Sequence, residues 1–385
     1  IHTMHICFLC NEYPPGRHGG VGSFTQTLGR ALVNCGHRVT VIGLYDCEKI
    51  LDERDEGVRI VRVPHAKLPG TGFMINGARL RYVLRYLHSQ DAMDVVEGPE
   101  LSLAMIPEDF PAAKVIRMNG GHQFFASTLG AKPKRWRSWL EQRSFSRADH
   151  LCAVSQYVAE TTRQLLQLGS RPIAILPNPV DTSRFIPQPP QLEEDGLILF
   201  AGTVCEKKGV RQLVQAMPRI VAAVPNARLW IAGRDWLDPQ TGESFIEKLR
   251  QMISAELSDK IVFHGMVEHS ELPKMMAKAS ICVYPSHMEA MPLAWLEGLA
   301  MGKALVASQT GPGPEAIEDG VSGLLCNPHD PDSIAEKLIL LLNDRDLRHR
   351  LGCQARQRAV NRFSVETLVG HNQEFYAQCA ASAAK

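Results

Sequence analysis

No apolar run in this chain reaches the ~20 residues that a membrane span requires, and its opening residues do not read as a signal peptide. Net charge is almost absent: 42 Lys and Arg meet 41 Asp and Glu, leaving +1 at pH 7. With that balance, and with no recognised module or extended basic stripe, nucleic-acid binding is not expected. The ten cysteines are scattered over 385 residues, so a reduced, cytoplasmic chain is the simpler reading. Cys7 and Cys10 spell C-x-x-C. In a strand pattern, however, positions three apart point to opposite faces, which favours a buried strand over a redox or metal site. No metal site is expected elsewhere. Asp330-Pro331-Asp332 and Asp344-Arg345-Asp346 spell D-x-D, but the first opens a helix, where Asp is a common cap, and the second sits in a charged helical segment.

What is present fits two soluble domains. The length exceeds that of one typical domain, and 45% hydrophobic with 22% charged residues is ordinary for a globular protein. Up to Phe185 the chain carries 22 basic and 17 acidic residues, a net of +5, and the remainder is −4. A basic first half favours an anionic acceptor or a membrane surface. Between the halves, residues 186–196 hold three prolines and an acidic run, the mark of a linker. We therefore expect one domain over 1–185, a linker over 186–196, a second domain over 197–364 and a closing helix over 365–385.

The most informative stretch runs from Tyr284 to Gly298. Ile281–Tyr284 is an apolar run that reads as a buried strand. A short polar turn follows, then a helix beginning near Pro292, since proline suits the first helical position. The free amides of Leu293 and Ala294 then point out of the helix end and can hold a phosphate. Glu289 lies just before that end, and Glu297 lies on the helix on the Leu293 face. Carboxylates flanking an anion site suit a sugar nucleotide, with hydroxyls at both ends and a diphosphate between.

A second signal opens the chain. Strand His5–Leu9 leads into the loop Asn11–Gly22, with Gly19-Gly20-Val21-Gly22, then into a helix with Phe24, Leu28, Ala31, Leu32 and Cys35 on one face. Strand Arg38–Ile42 completes a nucleotide-binding unit of the doubly wound kind. The glycines let backbone approach a phosphate closely. A dinucleotide-dependent (NAD) oxidoreductase is the alternative reading, with Asp46 on a ribose. The third glycine of G-x-G-x-x-G is missing, because Thr25 stands there.

The E-x7-E spacing of Glu289 and Glu297, with its Pro-Leu and following Gly, resembles the donor site of the retaining glycosyltransferases of family 4, and the GGxG loop resembles theirs. The resemblance spans about Met4 to Tyr376. It implies a GT-B fold: two doubly wound, Rossmann-like α/β domains facing across a cleft, with a C-terminal helix crossing back to the first. It implies transfer of a hexose, first choice glucose from UDP, to a sugar, glycolipid or small-molecule hydroxyl without a metal cofactor. A non-catalytic sugar-nucleotide binder is a further alternative.

Residue by residue, the resemblance puts Gly19 and Gly20 on the donor diphosphate and His122, just past strand Ala113–Arg117, beside the transferred sugar. Lys208 matches a family lysine on the diphosphate. The family's arginine position holds Thr203, which removes one positive charge; a neutral hydrogen bond is about half as strong as a charge-assisted one, and Lys207 is a partial substitute. Backbone of Met266 or Val267 would read the base. Glu289, with the Met291, Pro292 and Leu293 backbone, would hold the sugar, and Glu297 the ribose. Lys208, Glu289 and His122 are the catalytic candidates. Glu97, which closes strand Met93–Glu97, and Glu100 just past it are candidates for acceptor contacts. From Lys132 to Arg147 six bases face one acid, Glu141, with Trp136, Trp139, Leu140 and Phe145 interleaved. That segment reads either as a packed helix with a solvated basic face or as a helix resting on a membrane surface.

Overall fold

The computed structural model describes residues 3–16, 19–68 and 71–383; Arg17 and His18 of the glycine loop lie outside them. The chain divides into two compact units, one of residues 1–179 with 365–385 and the other of residues 180–364.

The first unit begins β1 (His5–Leu9), α1 (Gly20–Asn34), β2 (Arg38–Tyr45), β3 (Leu51–Asp55), β4 (Val58–Pro64), α2 (Gly72–Gln90), β5 (Val95–Gly98) and β6 (Ala113–Met118). It continues α3 (His122–Thr128), α4 (Arg135–Arg147), β7 (His150–Ala153), α5 (Gln156–Leu165) and β8 (Ala174–Ile175). The sheet order is β3-β4-β2-β1-β5-β6-β7-β8. All pairings are parallel except β3 with β4. β1, β5 and β6 are buried along their whole length, as parallel strands covered on both faces must be, and β5 and β6 bury Glu97, Lys114 and Arg117 among their apolar residues. α1 buries Phe24, Leu28, Ala31 and Leu32 at helical spacing; Cys35 falls past its end and is exposed, so it does not extend the stripe.

The second unit runs β9 (Leu197–Ala201), α6 (Val210–Ala223), β10 (Arg228–Ala232), α7 (Phe245–Arg250), β11 (Ile261–Gly265), α8 (Leu272–Lys278) and β12 (Ile281–Tyr284). It ends α9 (Leu293–Ala300), β13 (Ala304–Ser308), α10 (Gly313–Ala316), β14 (Leu324–Cys326), α11 (Pro331–Asn343) and α12 (Arg345–Arg358). Its sheet order is β11-β10-β9-β12-β13-β14, parallel throughout. Ile198, Phe200, Leu213, Met217, Ile231, Val283 and Leu338 form its core. The strand order reverses at β1/β5 in one sheet and at β9/β12 in the other. Such switch points open crevices at the carboxyl ends of strands, where ligands bind.

The last helix, α13 (Val365–Ala383), belongs to the first unit. Its Tyr376 is fully buried there and meets Phe8 edge-on at 6.4 Å. Its Gln373 pairs with His37 at 2.8 Å.

The proline-rich stretch is not where the units divide; the chain crosses at Pro179–Val180. Residues 186–196 are bound into the second unit by their acids. Glu194 pairs with Arg228 at 3.0 Å and Glu193 with Lys303 at 3.4 Å, while Ser280 Oγ donates to the Glu194 carbonyl. The acidic run that suggested a linker is therefore a set of anchors. Both D-x-D segments are caps and surface pairs. Asp330 accepts from the Asp332 amide, Asp332 pairs with Arg219, and Asp344 accepts from the Leu347 amide.

Candidate functional site

The second unit's switch point assembles two loops. The first leaves β9 at Gly202 and makes a tight turn through Glu206–Lys208 before Gly209 opens α6. Gly209 has φ +69°, and a β-carbon there would lie 1.8 Å from the Pro285 carbonyl oxygen. Only glycine permits that contact, and it brings the Lys208 turn against the second loop. The Lys207 carbonyl closes the junction by accepting from the His287 amide at 2.8 Å.

The second loop carries Glu289, which is buried and receives the Lys208 ammonium at 2.5 Å. Burial alone would raise the carboxyl's pKa. The nearby charges of Lys208 and Lys207, with a hydrogen bond to Ser286, overcome it and hold the group below its usual range. Lys207 itself is pushed down by burial. The structure thus brings both lysines near Glu289, a pairing that the sequence reading had not specified.

α9 starts one residue later than the proline rule suggested. Pro292 is the cap, in extended backbone at ψ 126°, and Leu293 is the first helical residue. Because Pro292 has no N–H to offer, the first amides at this end belong to Leu293 and Ala294. Neither has a partner among the described residues. Orphan amides at a helix start bind anions. Glu297 is buried on the same helix, 2.6 Å from His269 Nε2, and the His269 ring leans on Phe185 at 5.4 Å. His269 was missed in the sequence because nothing local ties it to Glu297.

Gly265, at φ +67°, turns the chain at the end of β11, and Met266 is 75% exposed. Thr203 stands in the first loop beside Gly233-Arg234, since the Val204 amide donates to the Arg234 carbonyl at 2.8 Å. Arg234 is half-buried and has no acidic partner among the described residues. It is a further cation of this neighbourhood, after Lys207 and Lys208, and sequence reasoning passed over it. Its signal was the Gly233-Arg234 pair directly after a buried strand.

The remaining candidates lie in the first unit. Gly19 is the cap of α1 and Gly20 its first residue, with the Glu12 carboxylate beside Gly19 and bonded to the Gly22 amide at 2.9 Å. His122 opens α3 and accepts the Lys134 amide on Nε2 at 2.7 Å, so its proton is on Nδ1.

Glu97 departs from expectation. It is 2% exposed, and both oxygens are taken by the Arg117 guanidinium at 2.7 and 3.1 Å, with the Tyr376 hydroxyl adding 2.8 Å. It holds α13 to the sheet and is not placed to receive an acceptor.

Glu100 is different: it lines a cavity with Gly121 and His122 and accepts the Asn119 amide at 2.6 Å. Burial, helped by the Glu141 carboxylate, pushes its pKa from 4.5 up to about 7. A folded-state pKa above the unfolded one means the native state holds the proton more tightly. The stability this contributes is present below pH 4.5 and is lost as pH rises through about 7. The displacement corresponds to about 3 kcal/mol. Urea unfolding of Glu100→Gln is expected to show a flatter stability profile between pH 5 and 8 than the parent. Identical slopes in the two proteins would rule out this titration.

Among the described residues, no group of three or more His, Cys, Asp or Glu is arranged to hold a metal ion. No helix there is long and apolar enough to cross a membrane.

Residues 181–358 match the family described as glycosyl transferases group 1, and residues 18–184 match glycosyltransferase family 4. A glycogen synthase of Mycobacterium tuberculosis is 28% identical, covering 97% of this chain and 94% of that protein. A GDP-mannose-dependent alpha-(1-6)-phosphatidylinositol monomannoside mannosyltransferase from the same organism is 27% identical over 96% and 97%. Among solved structures, sucrose-phosphate synthase of Thermosynechococcus elongatus superposes with a TM-score of 0.84 at 19% identity, covering 98% of this chain and 100% of that one. Anabaena HepE, solved with UDP and glucose, gives 0.74 at 15% identity over 97% and 100%.

Proposed function

The chain belongs to the group 1 glycosyltransferases and has their two-domain GT-B fold, and from that premise we propose that it moves a hexose from a nucleoside diphosphate to an acceptor hydroxyl with the anomeric configuration retained. Sugar transfer from a nucleotide sugar is common ground with its relatives. The observation that carries the finer reading is the Lys208–Glu289 pair at 2.5 Å, on the same switch point as the open helix end of α9.

In this proposal the diphosphate lies on the Leu293 and Ala294 amides and draws the Lys208 ammonium. The bond from the sugar's anomeric carbon to the phosphate oxygen breaks, and negative charge collects on the departing diphosphate. Preorganised donors stabilise that charge without reorganising. The acceptor oxygen forms the new bond on the same face, and its proton passes to a phosphate oxygen of the leaving group. No side-chain base and no metal are required. Glu289 binds sugar hydroxyls, with the Met291–Leu293 backbone, and faces the positive charge that grows on the ring. Glu297, aimed by His269, takes the ribose hydroxyls, and the Met266 or Val267 backbone pairs with the base. The Thr203 hydroxyl adds a neutral donor to the phosphates. The parts given above to Gly19, Gly20 and His122 rest on the family resemblance. A cytoplasmic location, peripheral to a membrane and reached through 132–147, belongs to the same proposal.

UDP-glucose is the first choice of donor. A thermal-shift screen of UDP-glucose, ADP-glucose and GDP-mannose tests it, because a ligand that binds only the folded state raises the melting point. The largest shift is expected with UDP-glucose; a shift with GDP-mannose alone would reassign base and sugar together. Glu297→Ala should raise donor KM by about 10- to 100-fold, the loss of a charged hydrogen bond, and lower kcat much less, because the ribose does not react. A fall in kcat at unchanged KM would remove Glu297 from the ribose. His269→Ala should change KM in the same direction and less.

A further inference from the structure

The first unit lines a half-open cavity of about 1270 Å³, larger than the ~300–1,000 Å³ of ordinary small-molecule sites. One sugar ring would leave most of it empty. It lies past the carboxyl ends of β1 and β5, and its character changes from one part to another. Glu100, Gly121 and His122 form a polar part. Phe73, Met105, Leu129 and Leu140 supply an apolar wall, with Phe73 and Leu129 each about two-fifths exposed. Lys67, Lys132, Lys134 and Arg137 bring positive charge. Lys67 is already paired with Asp46 at 2.9 Å. Lys132, Lys134 and Arg137 have no acidic partner among the described residues. The Lys134 amide is bonded to His122, so the basic and polar parts are fixed to one another.

A neutral glucan could stack on Phe73 but offers no charge to Lys132, Lys134 and Arg137. A small anion such as a sugar phosphate leaves the wall wet. We propose that this cavity takes an anionic amphiphile as acceptor: a hydroxyl-bearing phospholipid with its phosphate at Lys132, Lys134 and Arg137. Its acceptor hydroxyl faces His122 and Glu100, and the start of its acyl portion lies against Phe73, Met105 and Leu129. The inference rests on the transfer reading above and names the class of its second substrate. Each methylene buried on that wall is worth about fourfold in affinity, so the tail is what a headgroup fragment lacks.

The test is isothermal titration of the full chain, without donor, using short lipids below their micellar concentration. Dihexanoyl phosphatidylglycerol should bind at least about tenfold more tightly than dihexanoyl phosphatidylcholine, glycerol phosphate or maltoheptaose. Lys134→Glu/Arg137→Glu should abolish the preference for the anionic lipid, and Phe73→Asp should weaken every lipid. Tyr82→Ala, on α2 outside the cavity and 71% exposed, should change nothing. Equal binding of glycerol phosphate or maltoheptaose overturns the proposal. So does loss of lipid binding in Trp139→Ala with Phe73→Asp unaffected, since the lipid would then lie on the α4 surface. UDP binding, titrated in parallel, should survive in all these variants. Failure of the parent to bind UDP would strike the donor reading and not the class of ligand in this cavity.

Discussion

Lys208→Ala is expected to lower turnover by about 10²- to 10³-fold, the cost of removing one preorganised donor from a site of developing negative charge. Lys208 ends a tight turn whose exit, Gly209, is pressed against the Pro285 carbonyl so closely that no side chain fits. The ammonium is therefore delivered to one place, 2.5 Å from Glu289 and one-quarter exposed. In the free protein it neutralises that carboxylate. In the proposed mechanism a diphosphate becomes its stronger partner, and its charge is worth most when the sugar–phosphate bond has broken. The effect should thus fall on kcat more than on KM.

The same substitution makes a second, independent forecast. Burial works to raise the Glu289 pKa, and Lys208 is the foremost charge opposing it. Without Lys208, the carboxyl's pKa rises. Activity that needs the ionised Glu289 should then be lost at higher pH than in the parent, so the acid limb of the pH profile moves up. Lys208→Arg keeps the charge and should retain more activity than Lys208→Ala at every pH. Parental turnover in Lys208→Ala would take the residue out of the mechanism, whatever becomes of the pH limb.

Why the switch-point loops of the second unit could be outlined from sequence and other parts could not is a matter of range. Glu289, Leu293, Ala294 and Glu297 follow one buried apolar strand and flank a single proline, so local pattern places them after a strand end, while Lys208 was placed by the family resemblance. The β3 strand gave no such signal. Its sequence, Leu-Asp-Glu-Arg-Asp, is charged because it forms the exposed antiparallel edge, and edge strands tolerate charge. It is turned into β4 by Glu56 and Gly57, both at positive φ, a pairing that favours hairpin turns. α2 was equally quiet, since it leaves Phe73, Met74, Tyr82 and Tyr86 exposed and shows no clean apolar stripe. His269 and Glu297 are 28 residues apart, and no periodicity connects them. Arg117 is the extreme case: an arginine inside a buried strand has no local rationale, and the acid that explains it was read as a ligand contact.

That acid supports the other large effect. Glu97→Ala is expected to destabilise the first unit by about 3–5 kcal/mol, the usual cost of leaving one partner of a buried ion pair uncompensated. Arg117 is 1% exposed and cannot shed its proton to escape. Its other contacts are the Leu176 carbonyl at 3.2 Å, Asn372 at 2.6 Å, the Tyr376 hydroxyl at 3.2 Å and the Phe24 ring at 4.8 Å. None of these carries a negative charge. Two of them stand on α13, more than 250 residues along the chain, so the pair clasps the terminal helix to β5 and β6. Loss of Glu97 should therefore appear first as faster amide exchange and proteolysis in 365–383. In urea, the transition of the first unit should move while that of the second stays. Glu97→Leu/Arg117→Met removes both charges, and apolar replacements of buried pairs are often neutral. It should recover at least half of the loss, short of the whole because Asn372 and Tyr376 lose their partners. Two outcomes separate this structural role from the acceptor contact that its place at a strand end first suggested. A fall in stability at unchanged acceptor KM supports the clasp. A rise in acceptor KM at unchanged stability returns Glu97 to the substrate.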